Sequence, residues 1–147
     1  MRFLERAEWS NTIFILVLVS IVWNILLFAS PFLVPSGSEI GIDGGILLSH
    51  EHQNPVYSVG DIMCHQKESR SFILNGNQMP VCARCVGIFV GISIGLLYLL
   101  FYKVEVNKKF LIIFFLGVLP ICIDVMGQLV DLWESTNELR LITGLLG

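Results

Sequence analysis

Three long apolar segments dominate this chain of 147 residues and constrain its fold more than any other feature. They run from Thr12 to Val34, from Val86 to Tyr102 and from Phe110 to Val130. An α-helix rises about 1.5 Å per residue, so about 20 residues cross the roughly 30 Å hydrocarbon core of a bilayer. Only 14% of the residues are charged, against about 25% in an ordinary soluble domain. The sequence therefore predicts a multi-pass protein of the cell membrane.

The predicted fold is all-α, with three spanning helices, a partial or truncated fourth, and a long loop between the first two. The fourth is expected after Ser135, because Ser135 and Glu138 form a capping-box pattern. From Leu139 to Gly147 it rises about 13 Å, less than half the bilayer, so it is truncated, re-entrant, or packed across another helix. We assign one membrane domain, 1–147, with a helix over 12–34, a loop over 35–82, helices over 84–102 and 110–130, and a partial helix over 137–147.

Basic residues near the ends of the spans predict the orientation, because Lys and Arg accumulate on the cytoplasmic side. The side of the N-terminus carries Arg2, Arg6, Lys103, Lys108 and Lys109. The opposite side carries Lys67, Arg70, Arg84 and Arg140. We therefore expect a cytoplasmic N-terminus and place the cysteine motif described next on the outer face.

Three cysteines and a histidine occur close together before the second apolar segment: Cys64, His65, Cys82 and Cys85. The Cys-x-x-Cys spacing of the last two is typical of half a zinc site, since a turn between them lets both thiolates reach one ion. Cys64 and His65 are the candidates that complete four ligands for zinc or another transition metal. Polar groups at the mouth of a spanning helix are costly and usually have a purpose.

The identity of the fourth ligand stays open, because the side chains of adjacent residues diverge and seldom both bind one ion. The alternatives to His65 are His50, His52, Asp124 or solvent. Four protein ligands would make the site structural, whereas an open position would let the metal activate water or bind a substrate oxygen.

The same cysteines permit two other interpretations. A thiol pair at a helix N-terminus has a stabilised thiolate, so Cys82 and Cys85, with Cys64 as a resolving thiol, would suit thiol–disulfide exchange. Alternatively, a metal or a disulfide only staples the loop of a non-catalytic scaffold. A disulfide would leave one thiol of the three unpaired.

A second set of polar residues belongs to the same membrane face, because the third predicted helix ends on the side where the second begins. Asp124 and Glu134 are the candidate catalytic acid/base residues. The candidates for binding the head group of a lipid or other amphiphilic substrate are Arg70, Gln128, Asn137 and Arg140. Since intramembrane charge is costly and usually functional, a membrane metalloenzyme is the boldest hypothesis, and whether the chain is an enzyme stays open.

These motifs resemble a family of small prokaryotic integral-membrane proteins known as domain of unknown function 2085. The resemblance extends from about Tyr57 to the C-terminus. It is carried by Cys64-His65-Gln66, Arg70-Ser71-Phe72, Pro80-Val81-Cys82-Ala83-Arg84-Cys85-Val86-Gly87-Ile88, the pair Asp124 and Gln128, and Glu134-Ser135-Thr136-Asn137 with Arg140 and Thr143-Gly144. It implies a membrane location and no established activity, and it implies a fourth helix that continues beyond Thr143-Gly144.

Expected partners follow from the same patterns. The bilayer is the first, and an amphiphilic substrate is the second. Gly87, Gly91 and Gly95 recur at every fourth position and form a face on which another helix approaches closely, a candidate homo-oligomer contact. Basic residues occur singly or in pairs without a stripe, so nucleic-acid binding is not predicted.

Overall fold

A computed structural model describes residues 2–41, 54–102, 104, 107–130 and 132–146. This part of the chain contains five α-helices and one hairpin. In chain order they are α1 (Arg2–Leu33), α2 (Pro55–Met63), a 3-10 turn (Glu68–Arg70), β1 (Ile73–Leu74), β2 (Asn77–Gln78), α3 (Ala83–Phe101), α4 (Lys108–Leu129) and α5 (Asn137–Leu146). The predicted all-α class is confirmed. The candidate ligands His50 and His52, and Lys103, lie outside the described residues.

Three of the helices are long and apolar enough to cross a membrane. Their spans, Asn11–Leu33, Ala83–Phe101 and Lys108–Leu129, have mean hydropathies of 2.6, 2.1 and 2.5. Many of their large apolar side chains point outward, as shown by Ile15 and Phe115, which are 58% and 67% exposed. Such exposure is unfavourable in water, so lipid is the fitting solvent. The prediction of three spans is confirmed, and the orientation in the membrane stays a prediction.

The first helix begins at Arg2, well before the predicted start at residue 12. Neither glycine nor proline occurs before Thr12, so nothing in the sequence stops the helix from continuing into the polar N-terminal segment. Hydropathy predicts the membrane span of α1 but not the polar helical turns that precede it.

The segment 35–82, predicted as a loop, contains α2 and the hairpin. Asn54 caps α2, since its side chain accepts the N–H of Val56 at 2.9 Å, and Pro55 suits the first helical position. The hairpin turns at Asn75 and Gly76, whose φ angles are 53° and 71°. Asn-Gly is the sequence that best tolerates two positive φ angles in a two-residue turn, so the hairpin replaces part of the predicted loop.

This small polar subdomain rests on the end of α1. Asn77 donates to the Pro31 carbonyl at 2.8 Å, and the Tyr57 hydroxyl donates to the Gln78 carbonyl at 2.7 Å. Tyr57 and Met79 are buried, and Met79 belongs to a small apolar core to which α1 and α3 also contribute residues. The subdomain is therefore fixed to the bundle, and it fixes the cysteines that it carries.

Helix α5 packs against α3 and α4, while whether the fourth helix is truncated stays a prediction. Glycines allow the contact: a Cβ at Gly87 would collide with the Leu141 carbonyl, and one at Gly144 would collide with the Arg84 carbonyl. A Cβ at Gly91 would lie 2.8 Å from the Leu145 oxygen, whereas one at Gly95 has no neighbour within 4 Å among the described residues. The face predicted for a homo-oligomer is thus largely covered within the chain.

Candidate functional site

The three cysteines of the motif converge at the start of α3. The sulfur atoms of Cys64, Cys82 and Cys85 lie within 4.8 Å of one another, and all three are free thiols. Cys64 terminates α2, where its N–H donates to the Gly60 carbonyl at 2.8 Å, and Cys82 is the N-cap of α3. The backbone N–H of Cys82 also donates to the Cys64 sulfur at 3.3 Å. We call these three residues the sulfur cluster.

Gln66 holds the two halves of the sulfur cluster together. Its side chain is fully buried, and its amide donates to the Pro80 carbonyl at 2.6 Å and to the Tyr57 carbonyl at 3.1 Å. Its φ of 41° lies in the left-handed region, which costs free energy for a non-glycine residue and persists only where the surroundings enforce it. Gly60 leaves room for this contact, since a Cβ there would collide with the Pro80 carbonyl.

His65 follows Cys64 but does not join the sulfur cluster. Its side chain is exposed and lines the pocket beside the cysteines. Within the described ranges, the converging ligand atoms are the three sulfurs alone. The turn that brings Cys64 inward directs the next residue outward, as expected for adjacent side chains.

Asp124, near the end of α4, is buried and surrounded by donors. Arg84 of α3 forms an ion pair with its Oδ2, and the Ser135 hydroxyl donates to its Oδ1. Gln128 donates to Oδ2 at 2.9 Å, and the Trp133 indole N–H lies 3.5 Å from Oδ1. A buried charge is tolerated when it is paired and hydrogen-bonded, which is the situation of this carboxylate.

The hydrogen bonds continue from Asp124 into α5. Arg140 donates to Gln128 Oε1 at 3.3 Å and to Asn137 Oδ1 at 3.0 Å, and Asn137 donates to the Ser71 carbonyl at 3.2 Å. We define the polar network as Arg84, Asp124, Gln128, Ser135, Asn137 and Arg140. Four of its members were candidates from the sequence, and the structure brings them together, whereas Arg84 and Ser135 were not assigned to this group.

The remaining candidates lie at the edge of the polar network. Glu134 is exposed and lines a small pocket of about 160 Å³ with Arg70, Gln128 and Trp133. Asp124 has its carboxylate oxygens occupied by donors, which favours a positioning role for it, since a general base must be able to reach its proton. An acid/base role for either residue stays a prediction.

A pocket of about 440 Å³ lies beside the sulfur cluster, within the usual range of about 300–1,000 Å³ for small-molecule sites. The three cysteines, His65 and Gln66 form part of its wall. The rest is basic: Lys67, Arg70, Arg84 and Arg140. We call this cavity the basic pocket. The basic pocket is therefore lined both by potential metal ligands and by cationic side chains.

The charges of this region perturb one another. Hydrogen bonds from the thiols of Cys64 and then Cys85 hold the pKa of Cys82 far below its ordinary value, and the same pairing with Cys82 raises the pKa of Cys64. Hydrogen bonds among the three thiols therefore favour a thiolate within the sulfur cluster. Burial, followed by repulsion from Arg70 and Arg84, lowers the pKa of Arg140. The cations of the basic pocket are close enough to repel one another.

Together these features define a class: a small helical membrane protein with a three-cysteine cluster and a buried charged network at one end of its bundle. The chain belongs to the family described as "Predicted membrane protein (DUF2085)", which matches residues 64–147. The resemblance inferred from the motifs is thereby confirmed. The matched region begins at Cys64 and contains the sulfur cluster and the polar network.

Two archaeal relatives are similar over much of their length. An uncharacterised protein of Methanocaldococcus jannaschii is 34% identical over 140 residues, covering 90% of this chain and 83% of the relative. An uncharacterised protein of Methanothermobacter thermautotrophicus is 39% identical over 83 residues, covering 56% of this chain and 75% of the relative. No solved structure matches the chain. The chemistry of the site must therefore be argued from its own geometry.

Proposed function

We propose that this membrane protein holds a transition metal, zinc before others, on the thiolates of Cys64, Cys82 and Cys85. The observation that carries the proposal is the convergence of three sulfurs within 4.8 Å of one another. Zinc–sulfur bonds of about 2.3 Å in a tetrahedron set sulfur–sulfur separations of about 3.8 Å. A contraction of less than about 1 Å around an ion would bring the cluster to that geometry.

The surroundings of the sulfur cluster support a metal. The backbone N–H of Cys82 points at the Cys64 sulfur, and such donors stabilise thiolate charge. Gln66 fixes the two segments that carry the ligands, which is what outer-shell groups do in metal sites. The low pKa of Cys82 favours binding, because the thiolate is the ligand form.

With three sulfur ligands, the fourth coordination position would face the basic pocket, which the same cysteines line. Three protein ligands and one exchangeable position are typical of catalytic zinc, while four protein ligands are typical of structural zinc. In the first arrangement the metal acts as a Lewis acid toward water or a substrate oxygen. A membrane metalloenzyme acting on an amphiphilic substrate is the function that fits a pocket at the end of a spanning helix.

The test is the metal content of reduced protein purified in detergent, measured by inductively coupled plasma mass spectrometry. We expect stoichiometric zinc in the parent chain and its loss in Cys82→Ser and Cys85→Ser. Cys122→Ser is the matched control, because this cysteine is an exposed residue of α4 apart from the sulfur cluster. Intact, folded parent protein without stoichiometric metal would refute the proposal.

X-ray absorption at the zinc edge tests the fourth position. We expect three sulfur neighbours and one oxygen neighbour. A fourth sulfur, or the multiple-scattering signature of an imidazole from His65, His50 or His52, would instead favour a structural site.

Thiol–disulfide chemistry is the second candidate, and the low pKa of Cys82 at the N-terminus of α3 favours it. Its prediction differs. Alkylation of protein purified without reductant would show two cysteines protected until reductant is added, and metal would be absent. If the metal is present but the fourth position holds a protein ligand, the non-catalytic scaffold is the better interpretation.

A further inference from the structure

The basic pocket carries more positive charge than its surroundings compensate. Of the nine residues that line it, four are basic and none carries a carboxylate. Arg84 is paired with Asp124 of the polar network. Within the described part of the chain, no ion pair joins Lys67, Arg70 or Arg140 to a carboxylate. Cations that line a cavity without partners attract anions to it.

Arg140 is the most informative of these cations. Its side chain is only 5% exposed, and arginine is seldom fully buried unless it is paired. Asn137 and Gln128 accept hydrogen bonds from its two terminal nitrogens, so the guanidinium is held by neutral groups. Its Nε is buried without a hydrogen-bond partner among the described residues. A rigid, buried and unneutralised guanidinium on a pocket wall points to an anionic ligand.

We infer that the basic pocket binds a phosphate monoester group, with Arg70 and Arg140 as its principal contacts and one phosphate oxygen directed at the sulfur cluster. The inference rests on the proposed metal site for that last contact only. A phosphate monoester carries about −1.5 to −2 charge at pH 7, which matches several unpaired cations better than a single carboxylate does. The planar fork of arginine also suits phosphate oxygens.

The location supports the same ligand. The pocket includes Cys82 and Arg84, at the N-terminus of α3, where the positive end of the helix dipole adds to the attraction for an anion. It also lies where a membrane span begins, so the phosphate has two possible sources. One is the head group of a lipid such as phosphatidic acid, and the other is a soluble phosphate.

The experiment measures phosphate binding and metal content on the same samples of full-length protein. Binding of ³²P-labelled inorganic phosphate is followed by equilibrium dialysis in detergent, and retention of phosphatidic acid is followed by native mass spectrometry with phosphatidylcholine as the competitor. Arg70→Gln should weaken binding about 10- to 100-fold, the effect of losing a charge-assisted hydrogen bond. Lys109→Gln is the matched control, since it removes one exposed cation at the opposite end of the bundle.

Each outcome decides something. Binding of phosphatidic acid but not of inorganic phosphate supports a lipid head group, and the reverse supports a soluble phosphate. Failure of both probes to bind metal-loaded protein overturns the inference and leaves the metal proposal standing. Binding that is equal in Arg70→Gln and Lys109→Gln also overturns it. Phosphate binding in protein that holds no metal would keep the basic pocket and reject the metal contact.

Discussion

Substitution of Gly87 tests the contact that attaches α5 to the rest of the site. The nearest atom to a Cβ at this position is the Leu141 carbonyl oxygen, followed by the Leu145 nitrogen at 2.9 Å. Both are backbone atoms, so neither can be moved aside by a side-chain rotation, and α3 and α5 must separate to accommodate the methyl group. Overpacking of this kind costs about 1–3 kcal/mol. Gly87→Ala should therefore destabilise the protein although alanine is the better helix former.

Gly95→Ala supplies the matched control. It is the same substitution on the same helix, but in the part of the chain that the structure describes no atom lies within 4 Å of the added methyl. This variant should be neutral or gain up to about 1 kcal/mol from helix propensity. The two variants should then differ by about 1–4 kcal/mol, which corresponds to about 2–16 °C in Tm at about 2–4 °C per kcal/mol.

The assay is thermal unfolding in detergent, followed by intrinsic tryptophan fluorescence, with light scattering after gel filtration to report the oligomeric state. Equal Tm values for Gly87→Ala and Gly95→Ala would refute the intramolecular contact. A change of oligomeric state in Gly95→Ala would show that the open end of the glycine face contacts a second copy. Loss of α5 docking should also weaken phosphate binding, because α5 carries Arg140.

Three further predictions follow from the polar network and the sulfur cluster. Asp124→Asn leaves Arg84 without its ion-pair partner and should lower the free energy of unfolding by about 3–5 kcal/mol, measured as a lower Tm. The exposed control Glu134→Gln should leave Tm unchanged, and equal effects of the two variants would contradict the buried ion pair. Gln66→Ala removes the clamp on the ligand segments and should lower zinc affinity about 10- to 100-fold in a competition titration with a chelating dye; unchanged affinity would remove Gln66 from the site. The pKa of Cys82 is depressed in the folded state, so this residue stays a thiolate at pH values below the ordinary thiol pKa. Its alkylation rate in reduced, zinc-free protein should therefore be nearly constant from about pH 6 to 8, whereas in unfolded protein the rate should rise about tenfold per pH unit. The same rise in the folded protein would contradict the low pKa.

Hydropathy and chain topology were sufficient to predict the framework. Long apolar segments, two without any charged residue and the third with Asp124 alone, located all three spans, because the bilayer admits few other structures for them. Because α4 must end on the side of the membrane where α3 begins, the topology predicts that Asp124 lies near the start of α3. The ion pair between Asp124 and Arg84 agrees with that placement. Neither step required knowledge of packing.

The partners within the site could not be predicted in the same way. Four basic residues belong to the same side as Asp124, and the rotation of α3 relative to α4 selects Arg84 among them. The position of α3 relative to α4 also involves α5, which packs against both helices, and Gly87 and Gly144 form the close backbone contact between α3 and α5. The spacing of Gly87, Gly91 and Gly95 is equally compatible with a contact between copies. The hairpin turn at Asn75-Gly76 was a readable local signal, whereas the buried position of Gln66 arises only from tertiary contacts.

Arg84 connects the polar network with the sulfur cluster, because it belongs to the first and lies between two cysteines of the second in the sequence. Zinc with three thiolates carries one net negative charge, so the proposed centre is an anion embedded among cations. Arg84 lies between two of the ligands in the sequence, and its ion pair with Asp124 fixes its guanidinium. Asp124 thereby reduces the positive charge beside the proposed metal position without lining the basic pocket, while Lys67, Arg70 and Arg140 remain available for an anion. In this way Asp124, although it does not contact the ligand, would determine the charge of the ligand that the basic pocket accepts.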